Sequence, residues 1–184
     1  MIILASKSPR RVDILTRMGY EFEVTPSNER ELMPIGALPN DAVKLLAHQK
    51  AKSVAKLYST DDIIIGADTV VSINNQILGK PKDEEAAKNI LETLSGAEHI
   101  VYTGICVIKG KTVITDYEST SVFFKKLTSE EIKAYIKTGE PMDKAGAYGI
   151  QERGCVFVKK IIGDYFNVCG LPAYKLNEIL KGVI

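Results

Sequence analysis

Apolar and polar positions along this 184-residue chain switch repeatedly between strand-like and helix-like periods. Ile2-Ile3-Leu4-Ala5 is an unbroken apolar run and predicts a buried strand. Ser8-Pro9 predicts a helix start, with Ser8 as N-cap and Pro9 in the first turn. Val12, Ile14, Leu15 and Met18 carry that helix forward, and Gly19 ends it. Phe22 and Val24 mark a second short strand. Residues 25–39 are polar, interrupted by prolines and without period, which predicts a long loop of the kind that is often functional. Asn40 is expected to cap a second helix with an apolar face through Ala42, Val43, Leu45, Leu46, Ala51, Val54, Ala55 and Leu57.

Ile63-Ile64-Ile65-Gly66 is a dense β-branched run and predicts a central strand. Residues 70–73 and 77–78 flank Asn74-Asn75 and read as a hairpin. Asp83 is expected to cap a third helix, with Ala86, Ile90, Leu91 and Leu94 inward and Gly96 as its stop. Residues 99–109 and 112–124 predict two long strands joined at Gly110. Thr128-Ser129-Glu130-Glu131 is a capping box opening a fourth helix, which Gly139 ends. A glycine-rich stretch follows over 146–154. Residues 156–161 and 165–168 read as another hairpin around Gly163-Asp164, and Pro172 opens a final helix. Helices interspersed with antiparallel hairpins predict a mixed α/β sheet. Without a repeat or a clean linker, residues 1–184 read as one domain.

Composition removes several classes of function. No stretch approaches the ~18 apolar residues of a membrane span. The N-terminal apolar run is short and follows no basic segment, so it reads as a strand and not as a signal peptide. A cytoplasmic protein without a membrane partner is expected. With 24 basic and 23 acidic residues the net charge is +1, which gives no broad footprint for nucleic acid. Cys106, Cys155 and Cys169 form no CxxC pair, so they read as reduced, buried thiols and not as a zinc site or disulfide framework. His48 and His99 are too few for a histidine-rich metal site; His48 reads as a helix-surface residue and His99 as a structural hydrogen-bonder.

The candidate chemistry lies in a few segments. Ser6-Lys7-Ser8-Pro9-Arg10-Arg11 follows a strand and opens a helix, where free N–H groups and the positive dipole end suit phosphate. Two arginines in that first turn oppose the dipole unless an anion is bound there, and arginine grips phosphate through paired donors. The same segment also reads as a plain capped helix with two solvated arginines. Asp68 in Gly66-Ala67-Asp68-Thr69 ends a very apolar strand, where α/β proteins place ligands, and suits a metal ion or the activation of water. It equally suits a turn cap. Glu29 and Glu31 in the long loop are carboxylates of the kind that hold Mg²⁺ or Mn²⁺, or are solvated loop charges. Lys50 and Lys52 are two apart on a helix and do not share a face, so at most one points into a site. Lys80 and Lys82 could add cations. The glycines before Gln151 permit close backbone approach to a ligand, and Gln151 offers the donor and acceptor that reading a base edge requires.

Together these segments resemble the Maf family of nucleotide pyrophosphatases. The matching motifs are LASKSPRR (4–11), LAHQKA (46–51), IGADTVV (65–71), GKPKDEEAA (79–87), LSGAEH (94–99), EPMDKAGAYGIQ (140–151) and GLP (170–172). They span nearly the whole chain, in the family's order and spacing. The resemblance implies a mixed, elongated sheet with helices in two lobes around a central cleft, similar to the Ham1-like inosine triphosphate pyrophosphatases. It implies a cytoplasmic hydrolase dependent on Mg²⁺ or Mn²⁺, acting on a nucleoside triphosphate. By the same resemblance, Asp68 matches the general base. Ser6, Ser8, Arg10 and Arg11 match the phosphate loop, Lys50 and Lys80 the phosphate-pocket lysines, and Glu31 with Asp68 the metal site. Arg10, Thr69 and Gln151 match the positions associated with the branch specific for dTTP and UTP, which also takes some modified pyrimidine nucleotides. Asn28 and Glu152 depart from the pattern, in which an acid and a glycine are frequent at these positions.

The expected reaction is attack of water on the α-phosphorus, with the monophosphate and pyrophosphate as products. Two other readings stand beside it: a pyrophosphatase for purine or non-canonical nucleotides, and a regulator of septum formation acting through nucleotide binding. A homodimer built on a hairpin edge is compatible with the pattern.

Overall fold

The computed structural model describes residues 1–28 and 32–184. In chain order the elements are β1 (Ile2–Leu4), α1 (Pro9–Arg17), β2 (Phe22–Val24), α2 (Pro39–Ala55), β3 (Ile63–Ile73), β4 (Gln76–Leu78), α3 (Glu84–Leu94), β5 (Glu98–Lys109), β6 (Thr112–Phe124), α4 (Ser129–Ile136), β7 (Val158–Ile162), α5 (Tyr165–Cys169) and α6 (Ala173–Val183). Short 3₁₀ turns connect α4 to β7. Among the described residues the strands form one mixed sheet in the order β2-β1-β3-β5-β6-β7, with β4 as an extra partner of β3. β1 runs parallel to β2 and β3, and the other pairs are antiparallel.

Side chains alternate across a strand, so β3 presents two different faces. Ile64 and Gly66 face α2. That helix lies on the sheet at backbone contact: a Cβ at Gly66 would stand 2.2 Å from the Ala47 carbonyl oxygen, and one at Gly104 2.2 Å from that of Val43. On the opposite face, Ile63, Ile65, Ile105 and Val107 pack with Ile14 and Leu15 of α1 and Leu176 and Leu180 of α6. Further along the same face, Val71, Val101 and Val122 pack with Leu91 and Leu94 of α3 and Ile132 and Tyr135 of α4. Each fully buried Leu or Ile contributes roughly 1.5–3 kcal/mol, so each group of helices is held by its own core. Thr69 and Thr103, opposite one another on β3 and β5, stand at the seam between the two cores.

The edge of β3 is open at this level. β1 pairs with residues 63–65 and β4 with residues 71–73. Among the described residues no strand pairs with residues 66–70 on that side, and a cleft enters there.

Most of the expected elements are present. Thr128 and Glu131 form the capping box, and Asp83 accepts from the Ala86 N–H. Asn74 and Asn75 both take positive φ, at 50° and 62°, as a tight hairpin turn of this twist requires. Four expectations need correction. Asn40 does not cap α2: the helix starts at Pro39 from Leu38, with no side-chain cap, because proline at the first position has the right φ and no N–H to satisfy. Residues 165–168 are helix, not the return strand of a hairpin; Asp164 accepts from the Phe166 N–H and caps α5, and β7 pairs instead with β6. Residues 63–66 and 70–73 are one continuous strand, so Asp68 lies mid-strand and not at a strand end. Cys155 is exposed, while Cys106 and Cys169 are buried.

Candidate active site

The cleft opens between the two cores, lined by Asp68, Thr69, Val71, Val101 and Tyr148. It is continuous with a neighbouring bay lined by residues 5–11, and Ser8, Arg10, Arg11, Lys50, Lys80 and Asp143 line both.

Asp68 projects from the α2 face of β3. Lys50 of α2 donates to its Oδ1 at 2.5 Å, and the two side chains are only 12% and 14% exposed. The close seat of α2 on Gly66 puts Lys50 there, since Gly66 lies against Ala47 and Ala51, the helical neighbours of Lys50. Lys52 is exposed, so one lysine of the pair points inward and the other does not.

The two adjacent arginines of α1 behave differently. Arg11 is 8% exposed and its guanidinium is taken up by protein oxygens. Nε donates to the Gly170 carbonyl at 2.7 Å, and Nη1 to Ser6 Oγ at 3.1 Å and the Ala67 carbonyl at 2.9 Å. Nη2 donates to Thr69 Oγ1 at 3.0 Å. The Ala67 carbonyl lies on the open edge of β3, so Arg11 occupies the place of a missing strand there. Arg10 reaches Glu152 at 3.5 Å and faces the cleft. Ser6 is buried and accepts from the Ser8 N–H at 3.2 Å, which shapes the turn into α1. Ser8 occupies the N-cap position without a side-chain cap bond.

Lys80 lies on the rim and lines both parts of the cleft. Gln151 is exposed at the mouth, on a segment pinned from behind. Tyr135 Oη donates to Glu140 Oε1 at 2.6 Å and accepts from the Gly149 N–H at 3.1 Å. Glu140 also accepts from the N–H groups of Arg153 and Gly154. Burial and the Glu140 carboxylate both push the Tyr135 hydroxyl well above its ordinary pKa, so it stays a neutral donor. Glu31 lies outside the described residues.

A family model for Maf-like proteins matches residues 1–183. The chain belongs to the Maf-like protein family. A dTTP/UTP pyrophosphatase of Alkaliphilus metalliredigens is 53% identical over 182 residues, covering 97% of this chain and 94% of the relative. Proteins of the same name from Bacillus cereus and a Thermoanaerobacter species are 49% and 50% identical, each covering 98% of this chain and 94% and 95% of the relatives. The Staphylococcus aureus Ham1 protein superposes with a TM-score of 0.58 over 98% of both chains at 14% identity. A HAM1 protein from Coxiella burnetii gives 0.54, with 98% of both chains and 13% identity. These two likenesses bear out the expected Ham1-like fold.

The Maf-like cleft also contains residues that sequence reasoning did not single out. Lys144 is 6% exposed; it pairs with Asp143 at 2.8 Å and Glu152 at 3.0 Å, and donates to the Glu140 carbonyl at 3.0 Å. Burial alone would raise the Asp143 carboxyl, but the Lys144 hydrogen bond and the charges of Lys144 and Arg10 outweigh it and hold the carboxyl below its ordinary value. Both residues were inside a quoted motif, so the signal was present without a role attached. Tyr148 also lines the cleft, and its hydroxyl meets His99 Nε2 at 2.8 Å, which supplies the structural partner expected for that histidine.

Proposed function

We propose that this chain hydrolyses dTTP and UTP to the monophosphate and pyrophosphate. The observation that carries the reading is the Asp68–Lys50 pair, set in a cleft with Arg10, Lys80 and Lys144 around it. A carboxylate paired with a lysine in a cleft lined by further cations suits water activation beside a polyphosphate. The names of relatives about half identical over nearly the whole chain support the pyrimidine substrates. A cytosolic site of action belongs to the same reading.

In this mechanism Asp68 holds a water and takes its proton. The oxygen attacks the α-phosphorus in line, the bond between that phosphorus and the bridging oxygen breaks, and pyrophosphate leaves. Arg10, Lys80 and Lys50 stabilise the charge that develops, the positioning and electrostatics on which phosphoryl transfer depends. Arg11 contributes by fixing the loop and the edge of β3.

Among the described residues no three His, Cys, Asp or Glu side chains come together. Mg²⁺ commonly takes one or two carboxylates and fills its shell with phosphate oxygens and water, so Asp68 with a bound triphosphate fits it. Asp68, with Glu31, would hold Mg²⁺ or Mn²⁺. Bound there, the ion would neutralise phosphate charge and help acidify the attacking water.

The test is pyrophosphate release by the purified chain with Mg²⁺ or Mn²⁺, against dTTP, UTP, CTP, dCTP, GTP and ATP in parallel. Release from dTTP and UTP above the rest, lost with EDTA, is expected. A purine preference would keep the reaction and overturn the substrate; no release from any of them would overturn the reaction.

A further inference from the structure

A short run of hydroxyls separates the two apolar cores on one face of the sheet. Thr69 on β3 stands opposite Thr103 on β5, and their oxygens are 2.9 Å apart. Thr103 is fully buried, whereas Thr69 lines the cleft. Thr103 Oγ1 lies 2.9 Å from the backbone carbonyl of Asn167 on α5. Arg11 Nη2 donates to Thr69 Oγ1 at 3.0 Å.

Each hydroxyl has one proton and two lone pairs, and a carbonyl only accepts. Both threonine protons find a protein acceptor in one order only: Thr69 donates to Thr103, and Thr103 donates to the Asn167 carbonyl. In the reverse order Thr103 donates to Thr69. The carbonyl then loses its hydroxyl donor, and the Thr69 proton is left pointing at the cleft. The first order makes one more hydrogen bond in a buried place, where an unmade bond is costly. The end of the relay is rigid. Asn167 is fully buried, and its Nδ2 donates to the Val101 carbonyl at 3.0 Å and to Thr120 Oγ1 at 2.9 Å. Its carbonyl also accepts from the Gly170 N–H. With its proton directed inward and one lone pair held by Arg11, Thr69 has one lone pair left for a ligand.

We propose that Thr103 and Asn167 fix the Thr69 hydroxyl as an acceptor, and that this selects a pyrimidine with a hydrogen on ring nitrogen 3. Uracil and thymine carry that hydrogen; cytosine has a lone pair there instead. The inference rests on the nucleotide reading above and deepens it. A phosphate oxygen facing Thr69 would set acceptor against acceptor, so the relay favours a hydrogen-bond donor of the nucleotide over the triphosphate at this point of the cleft, and the ring N–H is the donor that separates uracil and thymine from cytosine. Thr103 does not touch the substrate in this scheme; it is a positioning residue.

The test compares the full-length wild type with Thr103→Val, which keeps the shape and removes the relay, and Thr103→Ser, which keeps the hydroxyl. kcat/KM is measured for UTP and CTP, and binding of the non-hydrolysable α,β-imido analogues of both is measured by calorimetry. In Thr103→Val the Thr69 hydroxyl can turn and donate to cytosine, so the preference for UTP over CTP should fall by about tenfold in both measurements. Thr103→Ser should keep the wild-type ratio. A ratio unchanged in folded Thr103→Val, or UTP and CTP falling together, would overturn the relay. If Thr103→Val does not fold, the wild type still decides, using 3-deazauridine triphosphate, in which a C–H replaces the N–H. A loss of about tenfold relative to UTP supports the proposal, and equal turnover overturns it. A wild type inactive on every pyrimidine triphosphate would instead remove the nucleotide reading underneath.

Discussion

The two faces of the sheet meet the cleft with opposite chemistry, one residue apart on the same strand. On the α2 face Asp68 and Lys50 form a partly buried ion pair open to the cavity. On the other face Thr69, Thr103 and the Asn167 carbonyl form a neutral relay, and the neighbouring Arg11 guanidinium is surrounded by protein oxygens. A strand buried on both faces normally keeps its two sides apart. Here its edge is open between the end of β1 and the end of β4, so both sides reach one ligand. In the proposed reaction the charged side handles phosphate and water and the neutral side reads the base.

The strongest way to break this division is Asp68→Asn. The shape is kept and the proton acceptor is lost. Turnover of UTP should fall by roughly 10³-fold, within the usual range for a lost general base, with the melting temperature little changed. Pyrophosphate release and a thermal melt on the same preparation check it. Near-normal turnover would mean that the base lies elsewhere, and the charged face would lose its assigned role.

Acid should break the neutral face. His99 shares that face, 1% exposed, edge-on to Phe124 and Tyr148. Burial lowers its pKa from 6.5 to about 4. Between these values the unfolded chain binds a proton that the folded chain does not. Stability is therefore full above pH 6.5, declines as pH falls towards 4, and stops declining below that. The loss from this one group is about 3 kcal/mol. Urea unfolding at intervals from pH 7.5 to 4.5 should show that slope in the wild type and a shallower one in His99→Asn. Parallel curves would mean that His99 titrates in the fold as it does in the open chain.

The division between faces was only partly legible in the sequence. Period and caps foretold the helices, and the β-branched runs foretold the long strands, because those signals are local. Two local errors have local causes. Asn40 resembled a cap, but the proline before it starts the helix, and Asp164 resembled a turn residue, but it caps α5. The charged half of the site could be named from motifs in the chain, since Asp68, Lys50 and Arg10 fall inside them. Thr103 and Asn167 carry no such mark. They are 64 residues apart and their partnership is created by the docking of α5 on β5, which no window of sequence displays. The contrast between Arg10 and Arg11 was hidden for the same reason: both sit in one helical turn, and only the folded edge of β3 distinguishes them.

That contrast gives a finer test. Arg11→Gln leaves the carbonyls of Ala67 and Gly170 short of a donor and should cost about 2–3 kcal/mol of stability. Arg10→Gln removes only a partly exposed contact to Glu152 and should stay within about 0.5 kcal/mol while raising KM for UTP. Denaturant midpoints and Michaelis curves for the pair decide it. Equal stability losses would mean that both arginines are structural, and equal KM effects without stability loss would mean that Arg11 leaves its protein partners to hold phosphate.

The smallest effect expected concerns Glu152, which sets a carboxylate between Arg10 at 3.5 Å and Lys144 at 3.0 Å at the mouth of the charged side. Its side chain is 41% exposed, so solvent screens both pairs, and their contribution to stability is below about 1 kcal/mol. Lys144 keeps Asp143 and the Glu140 carbonyl as partners when that carboxylate is neutralised. In Glu152→Gln, Arg10 loses its carboxylate and the incoming triphosphate loses a like charge. KM for UTP should fall by about threefold, equivalent to roughly 0.6 kcal/mol, with kcat and melting temperature unchanged. If KM rises instead, the carboxylate holds Arg10 in its working position, and the negative charge at the mouth belongs to the binding machinery and does not oppose it.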